Sequence, residues 1–92
     1  MRLDSVERIY LNNFQISTLD SLLRLAGRLK ELYLKGKELK GVEHFALECG
    51  TLQLLKIEEL EEVKGILIKK EQKNDLTVLK SASDINVVVE DI

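Results

Sequence analysis

Several kinds of residue are scarce in this sequence, and each scarcity removes a class of structure or site. The 92 residues include one cysteine, one histidine, no proline and no tryptophan. Cys49 alone cannot form an internal disulfide, and Cys49 with His44 supplies too few ligands for a zinc site. We therefore expect no disulfide and no metal, and we expect a reducing compartment, the cytoplasm.

Long apolar runs are also missing. No stretch approaches the roughly 18 consecutive apolar residues of a membrane-spanning helix, and the N-terminus leads into no apolar run of signal-peptide length. The proportions of hydrophobic residues, 45%, and charged residues, 33%, are typical of a folded domain. We expect a soluble chain that does not enter a membrane.

Residue sets that carry out catalysis are absent as well. The sequence has no phosphate-binding loop of the form GxxxxGK followed by Ser or Thr, and no Ser/His/Asp set stands out. Cys49 has only His44 as a candidate base, and a small buried thiol is its more usual role. Runs of glutamate such as residues 58–62 are typical of a solvated face. We predict that the chain is not an enzyme and needs no cofactor.

The balance of charges argues against a nucleic-acid partner without excluding one. The chain has 14 basic and 16 acidic residues, a net charge of −2. Residues 24–40 are nevertheless basic, so a small nucleic-acid-binding regulator is the alternative function. Its cations would be Arg24, Arg28, Lys30, Lys35, Lys37 and Lys40.

What the sequence does contain is a repeat of aliphatic residues. Positions 23 apart carry the same aliphatic spacing in three successive sets: Val6, Ile9 and Leu11; Leu29, Leu32 and Leu34; Leu52, Leu55 and Ile57. A period of 20 to about 29 residues with this spacing is typical of leucine-rich repeats, in which each unit is a strand followed by a helical or irregular returning segment. We predict a single domain over 1–92, with units at about 6–28, 29–51 and 52–75 and a weak terminal unit at 76–92.

The repeat predicts the secondary structure. Strands are expected at 8–11, 31–34 and 53–57, with further short strands at 66–68, 76–79 and 87–89. Ser17 to Asp20 is similar to a capping box and predicts a helix that runs to Ala26, before Gly27.

A second interpretation of residues 18–35 remains open. Apolar residues there also follow helical spacing, so the stretch could form one long helix in an α+β domain. Such a helix would contain Gly27, at a cost of about 1 kcal/mol relative to alanine, and would leave the recurrence of the aliphatic spacing unexplained. We favour the α/β repeat for that reason.

Two stretches resemble a known family. Residues 29–36, LKELYLKG, and 52–66, LQLLKIEELEEVKGI, are similar to the leucine-rich-repeat region of plant intracellular nucleotide-binding immune receptors. The resemblance implies a short leucine-rich-repeat-like solenoid, with a parallel sheet on its concave face that recognises a protein in the cytosol. It covers the repeat module only, so no nucleotide binding is implied.

If the strands stack in parallel about 4.8 Å apart, residues 23 apart become neighbours on the exposed face of the sheet. Stacked tyrosines are then flanked by the ion pairs Arg8/Glu31 and Lys35/Glu58. Tyrosine and arginine dominate many protein interfaces, so we predict a non-catalytic protein-binding face, although the same pairs could serve only to support neighbouring strands. The open ends of such a stack could also join copies of the chain. The predicted binding residues are Arg8, Tyr10, Asn12, Glu31, Tyr33, Lys35, Lys56 and Glu58.

Overall fold

The computed structural model describes residues 3–36, 39, 41–60, 62–72, 75–81 and 85–92. Within them the chain is α/β, with one helix and seven strands. In chain order these are β1 (Arg8–Asn12), α1 (Ile16–Leu25), β2 (Glu31–Lys35), β3 (His44–Glu48), β4 (Leu54–Glu58), β5 (Gly65–Lys70), β6 (Thr77–Lys80) and β7 (Asn86–Asp91).

The strands form two open sheets with parallel pairings throughout. One sheet has the order β1-β2-β4-β6 and the other the order β3-β5-β7. From β2 onwards the chain passes alternately from one sheet to the other. Buried side chains from both sheets and from α1 belong to one apolar core.

The four-stranded sheet follows directly from the aliphatic spacing. Leu32 and Leu34 of β2 are buried while Tyr33 and Lys35 lie on the opposite face, as the two-residue period of a strand requires. Leu55 of β4 pairs with Leu32, as the predicted repeat interval requires. The three predicted strands at 8–11, 31–34 and 53–57 are therefore confirmed, with bounds that differ by one residue.

The long-helix interpretation of residues 18–35 is wrong. The helix ends at Leu25, and Glu31–Lys35 is a strand. Ala26 and Leu29 are buried at the turn between them, so the core holds this turn in place. The predicted capping box is also wrong, because Gln15 is the N-cap residue and no side chain caps the helix.

The segments that connect successive strands of the four-stranded sheet were expected to be helical or irregular. The first of them contains α1, but the later ones contain the strands β3 and β5. Phe45 and Leu47 of β3 are buried and alternate with exposed neighbours, and this pattern builds a second sheet. Its register also has a constant interval, which runs from Phe45 to Ile66 and from Ile66 to Val87. The individual strands predicted at 66–68 and 87–89 are confirmed within it.

Among the described residues, one charged side chain is buried. Lys70 is 2% exposed, at the inward-facing end of β5. Its Nζ donates hydrogen bonds to the carbonyl oxygens of Glu71, at 2.6 Å, and Gln72, at 2.8 Å. These bonds replace the water that a buried ammonium group loses.

Candidate functional site

The outer face of the four-stranded sheet brings the predicted binding residues together in rows. Arg8 pairs with Glu31, Tyr10 with Tyr33, and Asn12 with Lys35. The next strand adds Leu54, Lys56 and Glu58 to the same three rows. The predicted register is confirmed, whereas binding by these residues stays a prediction. We call the set, namely Arg8, Tyr10, Asn12, Glu31, Tyr33, Lys35, Leu54, Lys56 and Glu58, the tyrosine face.

The two tyrosines form the centre of this face. Their ring centroids are 4.3 Å apart and the ring planes are inclined by 11°, so the rings are stacked. Tyr10 is 67% exposed because it lies on the edge strand β1, whereas Tyr33 is partly covered. An aromatic pair of this kind contributes about 0.5–1.5 kcal/mol beyond the area it buries. The stack therefore presents an ordered aromatic surface to solvent.

Glu31 holds the stack from one side. Its Oε1 accepts a hydrogen bond from the Tyr33 hydroxyl at 2.5 Å, and its Oε2 accepts one from Arg8 Nε at 2.6 Å. The Tyr33 bond, followed by the Arg8 bond, lowers the pKa of the Glu31 carboxyl below its usual value. The same bond is the main cause that raises the pKa of Tyr33 to about 12. The predicted Arg8/Glu31 ion pair is confirmed.

The predicted Lys35/Glu58 ion pair is wrong. The two residues are register neighbours, but Glu58 Oε1 instead contacts Lys56 Nζ at 3.0 Å. Lys56 lies two residues before Glu58 on the same strand, and both side chains point to the same face. A shallow depression of about 280 Å³ lies between the tyrosine row and the Lys35 row.

Comparisons with protein-family models, with curated proteins and with solved structures found no match to this chain. The case for a function therefore depends on the geometry of its own residues. Among the described residues, no three His, Cys, Asp or Glu side chains lie together as a metal site would require. No helix in this part of the chain is both long and apolar enough to cross a membrane.

The tyrosine face extends onto a fourth strand, β6, which confirms the strand predicted at 76–79 with bounds that differ by one residue. None of its residues was among the predicted binding residues. Thr77 is the register neighbour of Leu54, and Leu79 is the register neighbour of Lys56. Leu79 is an exposed apolar residue in the tyrosine row. The signal was present in the sequence, because Thr77 follows Leu54 at the same interval at which Leu54 follows Glu31.

His44 and Cys49 lie away from this face. His44 is exposed at the start of β3, where its ring occupies the space above Gly65, and a Cβ on that glycine would come within 2.6 Å of the ring. Cys49 is buried, with its Sγ 3.8 Å from the Leu29 carbonyl oxygen. Five residues of extended chain separate the two side chains by roughly 16 Å, so His44 cannot act as a base for this thiol.

The described basic residues of 24–40 lie on different elements of the fold. Arg24 lies in the last turn of α1, Lys35 belongs to the tyrosine face, and Lys30 Nζ lies 3.9 Å from Glu7 Oε1. Lys37 and Lys40 fall outside the described residues. The nucleic-acid alternative depended on a long helix with one basic side. Residues 18–35 do not form that helix, so the described cations do not form such a side.

Proposed function

We propose that the chain is a short leucine-rich-repeat-like solenoid and acts as a non-catalytic, cytoplasmic protein-recognition module. The tyrosine face is its binding surface and the concave side of the solenoid. The constant interval of the repeat supports this, because parallel, in-register pairing of β1, β2, β4 and β6 places equivalent residues of successive units side by side. The resemblance to the repeat region of plant immune receptors agrees with the same assignment.

The observation that carries the proposal is the stacked pair Tyr10 and Tyr33. Interfaces obtain much of their binding energy from a few aromatic and arginine side chains. A side chain that is already ordered loses little conformational entropy on binding. Tyr33 is held by Glu31, which is itself held by Arg8, so the pair is ordered before any partner arrives.

The charges of the face favour a protein over a nucleic acid. Arg8 is paired with Glu31 and Lys56 with Glu58, so two of the three cations on the face already contact carboxylates. Nucleic-acid affinity comes mainly from cations that replace the counterions of phosphates. A mixed surface of tyrosine, leucine and paired charges is instead typical of a protein interface.

The experiment introduces a photo-activated crosslinking residue at Asn12, on the tyrosine face, and separately at Glu48, an exposed residue of β3 on the other sheet. Both chains are irradiated in an extract, and crosslinked proteins are identified by mass spectrometry. The proposal requires a partner crosslinked from Asn12 and not from Glu48. Tyr10→Ala should abolish that crosslink. Leu25→Ala removes another exposed apolar side chain, on α1, and should preserve it.

Two results would contradict the proposal. One is a partner that crosslinks equally from both positions or that survives Tyr10→Ala. The other is binding of an unrelated DNA or RNA oligonucleotide, measured by fluorescence anisotropy, that weakens steeply as salt rises. The second result would favour the nucleic-acid alternative.

A further inference from the structure

In the described part of the chain, both sheets end at the same end of the fold with a strand that has one neighbouring strand. There β6 pairs with β4 alone and β7 pairs with β5 alone. The core is incompletely covered there, because the inward-facing Val78, Val87 and Val89 are only partly buried. Equivalent positions one strand further in, such as Leu55 and Ile66, are 0% and 2% exposed.

The opposite end differs only in the second sheet. There β1 is likewise an edge strand and its inward-facing Ile9 and Leu11 are partly buried, but α1 lies beside β3, the edge of the other sheet. Leu19 and Leu23 of α1 are buried, and Leu3 packs against the core from the lead-in segment. Since the backbone N–H groups of a helix interior are used within the helix, α1 cannot accept an incoming strand.

We propose that two copies of the chain associate through this β6/β7 end, with β7 of one copy pairing antiparallel to β7 of the other. A two-fold axis across this end brings β6 against β6 and β7 against β7, so both unpaired edges are satisfied in one closed interface. Head-to-tail stacking would pair β6 with β1 and leave β7 facing α1, so it would satisfy only one edge. A second copy placed tail to tail is therefore the occupant that fits.

The backbone of β7 is compatible with this pairing. The N–H groups of Asn86 and Ile92 bond to Lys64 and Lys70, so even-numbered residues of β7 point toward β5. Because successive N–H groups alternate in direction, those of Val87 and Val89 point to the open edge. In an antiparallel register centred on Val88, Val87 of one copy exchanges both backbone hydrogen bonds with Val89 of the other.

The side chains are compatible as well. The same register places Glu90 opposite Asn86 of the second copy, so no carboxylate of β7 faces another directly. Val88 lies opposite its own copy at a non-hydrogen-bonded pair, where the Cα atoms are about 4.5 Å apart and the side chains touch. Val88 is 45% exposed in the isolated chain, and this contact would cover it.

The test places a charge on the two-fold axis. Val88→Lys puts two ammonium groups opposite each other, and Val88→Glu puts two carboxylates there. Each variant alone should weaken dimerisation by about tenfold or more, and an equimolar mixture should restore the dimer through Lys/Glu pairs. The control is Ala46→Lys, because Ala46 is exposed in the same row of the same sheet but lies on β3, two strands away from β7.

Sedimentation equilibrium from micromolar to millimolar concentration measures the result, and thermal unfolding at the lowest concentration verifies that each variant folds. A concentration-dependent dimer that Val88→Lys disrupts and the mixture rescues supports the proposal. A wild-type chain that stays monomeric, a dimer that Val88→Lys leaves intact, or assemblies that grow beyond two copies would overturn it. None of these measurements involves the tyrosine face, so failure here would leave the proposed recognition function standing.

Discussion

Replacing Gly36 with alanine should destabilise the fold strongly for so small a change. Gly36 follows β2, and the turn after β1 lies directly against it. A Cβ at Gly36 would be 2.9 Å from the backbone nitrogen of Asn13 and 3.0 Å from its Cα. Asn13 cannot easily retreat, because its N–H donates to the Lys35 carbonyl oxygen at 2.8 Å and its φ of 55° is already in the left-handed region.

The expected magnitude follows from that overlap. Forcing an extra methyl group into an occupied space costs about 1–3 kcal/mol, and backbone atoms relax less than the ends of side chains, so we expect about 2 kcal/mol. For a domain of this size each kcal/mol lowers Tm by roughly 4–8 °C. Urea unfolding followed by circular dichroism measures the free energy of unfolding, and a thermal scan measures Tm.

The matched control is Gly27→Ala. A Cβ at Gly27 would meet no atom within 4 Å, and its φ is outside the left-handed region. Alanine there should leave stability unchanged or raise it by about 0.4–1 kcal/mol through the unfolded chain. If the two substitutions changed the free energy of unfolding equally, the close approach of Gly36 to Asn13 would be refuted, and with it the pairing of β1 with β2 as described.

Two further predictions concern the tyrosine face and the turn after β4. In a Tyr10→Phe background the phenolate absorbance reports Tyr33 alone. Glu31→Gln should lower the pKa of Tyr33 from about 12 toward 10, because the strong hydrogen bond from its hydroxyl to the carboxylate becomes a weaker one to an amide oxygen, and because the negative charge beside the phenolate is removed. Because the pKa of Tyr33 is raised, its hydrogen bond stabilises the fold below pH 10, and this stabilisation is lost as the pH rises to about 12. Because the pKa of Glu31 is lowered, its contribution is present above the usual pKa of 4.5 and is lost as the pH falls. A free energy of unfolding that did not change with pH in either range would contradict the hydrogen bond between Tyr33 and Glu31. Glu59 is exposed with a φ of 56°, so Glu59→Gly should raise the free energy of unfolding by roughly 0.5–1 kcal/mol in urea titrations. The control Glu48→Gly, in strand β3, should lower the free energy of unfolding by a similar amount. A lower free energy of unfolding in both variants would contradict this prediction.

The register of the four-stranded sheet could be predicted because parallel in-register strands impose one constant interval. Ile9, Leu32 and Leu55 show that interval directly in the sequence, and the exposed rows follow from it by alternation. The ion pairing of Glu58 could not be predicted from the interval alone. Both Lys35 and Lys56 are within its reach, and only side-chain geometry selects Lys56.

The second sheet was harder to foresee for a physical reason. Its interval, as from Phe45 to Ile66, is shorter than the one from Leu32 to Leu55, so its pairs do not follow the spacing that reveals the first sheet. In the first unit the corresponding segment is α1, so β3 has no earlier strand of its own kind for comparison. The burial of Lys70 could not be predicted either, because nothing in the residue type indicates that two turn carbonyls will accept hydrogen bonds from its ammonium group.

Each described strand pairs only with the strands next to it in its own sheet, and this pattern affects how the molecule unfolds. Unfolding can begin at β1, which has a single neighbour, while β2 and β4 remain held on both sides. Amide hydrogen exchange should then be faster in β1 than in β4. The Tyr10–Tyr33 stack joins β1 to β2. A ligand bound over both rings would therefore slow amide hydrogen exchange in β1, and it would dissociate when β1 unfolds locally.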